Sequence, residues 1–363
     1  MEQVKRDVEF LNDLLMAYSP SSYEVEGTKV WEKRMKEIID PTPAYTDKIG
    51  NSVFSIGKGE GTKILISAHI DEIAMMVGLI EEDGMIVLQN LAGVDKKVLP
   101  GAQLRVRNDE GEWIKGIVHK APIHIDGKGK DGDSACKIEQ LRLDIGADGK
   151  DEVESKYHVH PGSLVVFERN VIPEFGANKI VGNALDDKIG VYIVAKVAEN
   201  LANIINPKDV LDGKGTIYFA ACTQEESGLR GATVAAHNIN PDISIDIDVT
   251  FAVNGGLVSK SKYGDIKLGE GPVIEYGQDK SLRLCNLLVK SAENTNVKFQ
   301  RGVARCGGTN TDTIQLSSND CETCLVSIPN LSMHTQNETC DWRDVEGAIK
   351  MISDFVSQIF NNN

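Results

Sequence analysis

The stretch TIYFAACTQEESGLRG, residues 216–231, runs from an apolar segment straight into two adjacent acids. Ile217-Tyr-Phe-Ala-Ala-Cys222 is short, rich in β-branched and aromatic residues and preceded by glycine, so it reads as a buried strand. Glu225 and Glu226 stand at its tip. Two neighbouring carboxylates repel each other and resist desolvation. A solvated loop would explain a lone Glu-Glu pair, so the remainder of the chain decides what this pair is for.

Other strand-like runs end in residues of the same chemical kind. Lys63-Ile-Leu-Ile-Ser-Ala-His-Ile-Asp71 ends with His69 and Asp71. Val181-Gly-Asn-Ala-Leu-Asp-Asp-Lys188 carries Asp186 and Asp187 just ahead of a helical pattern. Ser244-Ile-Asp-Ile-Asp-Val249 carries Asp248, with Asp246 on the same alternating face. Leu325-Val-Ser-Ile-Pro329 leads on to Met333-His334-Thr335. Ligands of an open α/β sheet bind beyond the carboxyl ends of its parallel strands. Two histidines and several carboxylates gathered there form a donor set suited to zinc, cobalt or manganese. Singly, each residue has a plainer reading. Asp186 reads as a cap for the helix that follows it. His119, His124, His158, His160 and His237 read as ordinary surface or core histidines.

The 363 residues are enough for a large core and two domains. Asp and Glu outnumber Lys and Arg by 54 to 39, a formal charge of −15, which argues against a nucleic-acid or anionic-membrane partner. The first residues, MEQVKRDVEFLNDLL, read as an amphipathic helix and not as a signal peptide. No stretch approaches the ~18 consecutive apolar residues of a membrane span. Seven scattered cysteines suggest no disulfide framework and point to a reducing cytoplasm. Cys321-Glu-Thr-Cys324 reads as two free thiols near a strand start.

Helical patterns cover residues 3–18 and 23–39, with Ser21 and Glu24 spaced as a capping box for the second. Strand-like runs follow at Ser52–Ser55 and Lys63–Ala68. From about 75 to 169 the texture changes. Short β-prone pieces (Met85–Leu88, Gln103–Val106, Trp113–Val118, Leu141–Asp144, Ser163–Phe167) alternate with turn clusters at Asp126-Gly-Lys-Gly and Asp131-Gly-Asp133. From about 170 the α/β pattern returns, with a helix over Val191–Leu201, strands at Thr216–Cys222, Ser244–Val249 and Leu325–Pro329, and an amphipathic helix over Asp344–Phe360. The expected organisation is an α/β domain of residues 1–74 and 170–363, interrupted by a β-rich domain of residues 75–169.

Taken together, these stretches resemble the glutamyl/tetrahedral aminopeptidase family of dinuclear metallopeptidases, some members of which were once described as cellulases. The resemblance is carried by Ala68-His-Ile-Asp-Glu-Ile73, Ala184-Leu-Asp-Asp-Lys188, Gln224-Glu-Glu-Ser-Gly-Leu-Arg-Gly-Ala232, Ile247-Asp-Val-Thr250 and Ile328-Pro through His334. Leu143-Asp-Ile-Gly-Ala147 and Thr309-Asn-Thr-Asp312 support it. It implies a mixed-sheet, zinc-peptidase-like catalytic domain with an inserted small β-barrel-like domain. It implies two divalent metal ions per subunit, zinc first, with cobalt or manganese as alternatives. In the family pattern Asp186 bridges the two metals, His69 and Asp248 complete one site, and Glu226 and His334 complete the other. Glu225 is the general base, passing a proton from the attacking water to the leaving amine. Asp71 orients the His69 imidazole. A cis peptide is implied at Asp186–Asp187, and a dodecamer built through the inserted domain. Both glutamates can serve one site only if the strand ends there, with Gly228 and Gly231 supplying the bend. Two positions depart from the pattern: Lys188 where arginine is usual, and Phe251 where histidine is common.

The resemblance implies an aminopeptidase acting on free N-termini of peptides. A related metallo-carboxypeptidase or amidohydrolase is the first alternative, but it usually keeps the gap before the bridging aspartate short. Here 116 residues separate His69 from Asp186, and 85 separate Asp248 from His334. A glycosidase needs two carboxyls ~5–9.5 Å apart and no metal, which fits adjacent glutamates and two ordered histidine motifs poorly. A scaffold with a vestigial site ranks last, since no motif residue is missing.

Overall fold

The computed structural model describes residues 5–39, 43–57, 61–122, 124, 137–204, 215–303 and 308–361. The two turn clusters at 126–129 and 131–133, Cys136, Cys306 and the start of the expected first helix lie outside the described residues. In chain order the elements are α1 (Val8–Met16), α2 (Val25–Ile38), β1 (Pro43–Thr46), β2 (Ser52–Ile56), β3 (Thr62–His69), β4 (Met75–Ile80), β5 (Ile86–Asn90), β6 (Gln103–Arg107), β7 (Trp113–His119), β8 (Arg142–Asp144), α3 (Lys150–Ser155) and β9 (Leu164–Phe167). There follow β10 (Ile172–Phe175), β11 (Lys179–Gly182), α4 (Leu185–Ile204), β12 (Gly215–Cys222), α5 (Arg230–Ile239), β13 (Ile243–Phe251), α6 (Lys260–Tyr263), β14 (Val273–Tyr276), α7 (Leu282–Asn294), β15 (Gln300–Val303), α8 (Thr311–Ser317), β16 (Glu322–Asn330), β17 (Glu338–Asp341) and α9 (Trp342–Asn361).

The chain divides into two compact units. The first comprises Met1–Glu72, Val171–Met333 and Asn337–Asn363. Its main sheet has the order β1-β2-β12-β3-β13-β16-β14-β15, beside a smaller β10-β11-β17 sheet. β12, β3, β13 and β16 run parallel, so their carboxyl ends share one edge. β3 lies inside the sheet and is covered on both faces, which is why Ile64, Leu65 and Ile66 form an unbroken apolar run with no exposure. Ile64 and Ile66 pack into the core that takes in α4 and α9. Leu65 faces the other way, into a cluster with Ala232, Ala235 and Ala236 of α5. The result is an α/β/α arrangement with a mixed sheet.

The second unit comprises Ile73–Asn170 with His334–Gln336. Its strands close into an antiparallel barrel in the order β4-β5-β8-β7-β6-β9. Leu88, Leu104, Val106, Val118, Leu143 and Val165 fill its core. Closure removes the unpaired edges that a small open sheet would expose.

Three local expectations are corrected. The first helix is shorter than the apolar pattern suggested; Asp7 starts it by accepting from the Phe10 N–H at 3.1 Å. No capping box forms at α2, because the Glu24 side chain makes no cap bond to the helix and Ser21 Oγ lies 2.8 Å from Ser227 Oγ instead. Gly231 makes no bend: it sits in α5, where an added Cβ would lie 2.0 Å from the Thr223 carbonyl oxygen. The turn after β12 begins at Gln224 (φ 55°) and is completed at Gly228 (φ 116°).

Candidate metal centre

The register of the sheet creates the opening in which the acids gather. β12 and β3 stay paired up to Cys222 opposite His69. β13 and β3 are paired only as far as Asp246 opposite Ser67, while β13 continues along β16 to Phe251 opposite Asn330. A side-chain bond from Ser67 Oγ to Asp246 Oδ1, 2.6 Å, marks the point of parting. Beyond it lie His69 on one strand and Asp248 on the other.

His69 is buried, and its two ring nitrogens have separate tasks. Nδ1 lies 3.1 Å from the Asp71 carbonyl oxygen and 3.4 Å from Asp71 Oδ1, so it carries the proton and donates. That leaves Nε2, 3.1 Å from Asp186 Oδ1 and 4.0 Å from Glu225 Oε2, as the nitrogen that would coordinate a cation in place of a proton. Asp71 is fully buried and also accepts from two backbone groups, Glu225 N–H at 2.9 Å on Oδ1 and Glu226 N–H at 3.1 Å on Oδ2. One carboxylate thus ties the imidazole to the backbone of both glutamates.

Two sets of donor atoms lie within 4.8 Å of one another: His69, Asp187 and Asp248, and His69, Asp186 and Glu226. Asp186 is held from behind by its N–H, which donates to Glu338 Oε2 at 2.8 Å, and the Asp186–Asp187 peptide is cis. Asp187 is the residue the sequence did not single out for the site. Its Oδ2 accepts from the His69 backbone N–H at 3.2 Å and its Oδ1 from the Gly190 backbone N–H at 3.1 Å. It, and not Asp186, caps the helical part of α4. Adjacency to Asp186 was the sole signal for it.

The electrostatics are those of a site short of positive charge. Burial, then the neighbouring Asp248, pushes the Asp187 carboxyl well above its usual range. Burial and Asp186 do the same to Asp248. Burial outweighs His69 in raising the Glu225 carboxyl, with Asp248, Glu226 and Asp71 adding to it. Burial alone would lower the His69 pKa, but Glu225, Asp186 and Asp71 together hold it well above its ordinary value. Carboxylates this crowded ionise together only beside added cations. Imidazole nitrogen with carboxylate oxygen is the donor chemistry of zinc, cobalt and manganese, so the residues fit divalent metal.

The other residues of interest have local surroundings of their own. His334 belongs to the barrel unit, in a left-handed conformation (φ 62°), and its Nδ1 meets the Gly93 carbonyl at 2.7 Å. An added Cβ at Gly93 would lie 2.7 Å from that nitrogen, so the glycine admits the ring. Lys188 is fully buried and donates to the Ala17 carbonyl at 2.6 Å and to Glu72 at 3.3 Å. Phe251 packs edge-on against Tyr263, with ring centres 5.4 Å apart. His158 and His160 face Glu110 and Asp109 on the barrel unit. Cys321 and Cys324 are free and buried.

A family model described as M42 glutamyl aminopeptidase matches residues 50–351. A lysyl aminopeptidase of Pyrococcus furiosus is 29% identical over 355 residues, covering 97% of each chain. Among solved structures, an aminopeptidase from the archaeon Desulfurococcus kamchatkensis matches with a TM-score of 0.85 at 30% identity, over 97% of this chain and 94% of that one. The TET1 peptidase of Pyrococcus horikoshii, which can assemble into a tetrahedron or a large octahedral shell, matches with a TM-score of 0.80 at 28% identity, over 96% and 98%.

Proposed function

The chain belongs to the M42 glutamyl aminopeptidase family and is a peptide-bond hydrolase, and from that premise we propose how its residues remove an N-terminal amino acid from a peptide. Asp186 would bridge two divalent cations, zinc first, with cobalt or manganese as alternatives. His69 and Asp248 would complete one site, Glu226 and His334 the other. When bound, the cations supply Lewis-acid polarisation of the scissile carbonyl, acidify the attacking water and offset the carboxylate repulsion. Glu225 accepts the proton of that water and delivers it to the leaving nitrogen. Its place beside His69 Nε2 suits this, at 4.0 Å and with a side chain only 10% exposed. Asp71 keeps the imidazole proton on Nδ1 and, through the two N–H groups it accepts, keeps both glutamates facing His69.

The observation that carries the reading is that donor atoms of Asp186, Glu226 and Asp248 all gather about His69 at the carboxyl edge of the parallel strands. Chelation followed by metal add-back tests it, assayed on an aminoacyl-anilide and on cellulose. Anilide hydrolysis should vanish with chelator and return with metal, and cellulose should stay intact throughout. Hydrolysis of cellulose indifferent to chelator would overturn the reading.

Peptides are the proposed partners, together with further copies of this chain. The relative from P. horikoshii assembles into shells. By analogy the barrel unit, as an inserted domain, would join copies into a dodecamer. The cysteines Cys222, Cys285, Cys321, Cys324 and Cys340 are free, which suits a reducing cytoplasm. Among the described residues, no helix is long and apolar enough to cross a membrane.

A further inference from the structure

The capping-box pair that leaves α2 uncapped is turned toward the catalytic loop. Glu24 is 5% exposed, and its Oε1 accepts from Ser22 N–H at 2.7 Å and from Gln224 N–H at 3.1 Å. Ser21 Oγ meets Ser227 Oγ at 2.8 Å. Residues 21–24 therefore grip residues 224–227 at both ends. The next two backbone donors, those of Glu225 and Glu226, go to Asp71. Three consecutive N–H groups are thus taken by two buried carboxylates.

We propose that Glu24 is a positioning residue for Glu225, acting through the backbone of Gln224; the inference rests on Glu225 being the general base. In an extended chain Glu225 and Glu226 would point to opposite faces. Gln224 breaks that alternation by adopting a left-handed conformation, φ 55°, which is unfavourable for a residue with a Cβ. Something must hold it there. Its carbonyl accepts from the Arg230 N–H at 3.2 Å, and its N–H donates to Glu24. Without the Glu24 acceptor, Gln224 relaxes toward extended backbone and Glu225 swings out of line with the water it must deprotonate. Misplacement of a catalytic group by about 1 Å costs on the order of a hundredfold in rate.

Two variants separate this role from simple support of α2. Glu24→Gln keeps an Oε1 acceptor at the same reach. Glu24→Asp keeps the charge but withdraws the oxygen by about one bond length. In aminoacyl-anilide kinetics, with bound metal measured per chain, Glu24→Asp should lose about ten- to a hundredfold in kcat at unchanged KM and metal content. Glu24→Gln should stay within about threefold of the parent chain. The proposal is overturned if Glu24→Gln falls as far as Glu24→Asp, if Glu24→Asp keeps its kcat, or if the loss lies in KM or metal content. A parent chain that turns over no anilide would instead remove the aminopeptidase reading, and the positioning role with it.

Discussion

Glu225 owes its position to contacts spread over most of the first unit: Asp71 after β3, Glu24 before α2, and Arg230 at the start of α5. Its neighbours make it a demanding site for a base, since burial and the surrounding acids disfavour its ionised form. Glu225→Gln removes the proton acceptor and leaves volume and backbone contacts alone. That variant should keep its metal and its KM while kcat falls about 10²–10⁴-fold. Turnover near the parent level would take Glu225 out of the base role. At this scale the sequence was legible where chemistry repeats at strand ends. His69, Asp186, Glu226 and Asp248 were all marked by position, and the structure gathers them in one opening. Asp187 and Glu24 were not legible as site residues. Their work is done through hydrogen bonds to His69 N–H and Gln224 N–H, partners 118 and 200 residues away in the chain.

Among elements, β3, β12 and β13 were readable because strands buried on both faces are nearly unbroken apolar runs. β1, β10, β11, β14, β15 and β17 were not. Each has four residues interrupted by a proline, a glycine or a charge, unlike the equally short but unbroken Leu164–Phe167 of β9. The caps went astray for a related reason: Ser21 and Glu24 have the right spacing for a capping box, but tertiary donors outcompete the helix end. At the other terminus Asp344, in the first turn of α9, accepts from Gly269 N–H and Gly271 N–H, each at 2.7 Å, tying a loop to the helix. Burial pushes its carboxyl up to about 7 in spite of those two donors. An unfolded aspartate titrates near 3.9. Between about pH 4 and 7 the folded chain therefore holds a proton that the unfolded chain has released. This contribution to stability is full below about pH 4 and is lost as pH rises through 7. Urea unfolding of the parent and of Asp344→Asn should show the parent's advantage shrinking by about 3 kcal/mol from pH 5 to pH 8. A gap constant with pH would contradict it.

For the whole molecule, the change of texture near residue 75 signalled β-rich structure, and the strands that follow it close into a barrel. Closure of the barrel came from the family resemblance and not from strand patterning, since the pairing of β4 with β9 joins strands far apart in the chain. Assembly is equally a property of surfaces and not of periodicity. If the barrel joins copies as proposed, sedimentation velocity should give a species of about twelve chains, and Leu79→Glu, a charge at an exposed leucine of the barrel, should yield smaller species. A monomeric parent would end the assembly proposal and leave the chemistry standing. The chemistry has its own direct test, anomalous diffraction from crystals of the metal-loaded chain. Two peaks per chain are expected, both against Asp186, one beside His69 and Asp248 and the other beside Glu226. Peaks elsewhere, or none in the opening between β3 and β13 at full loading, would contradict it.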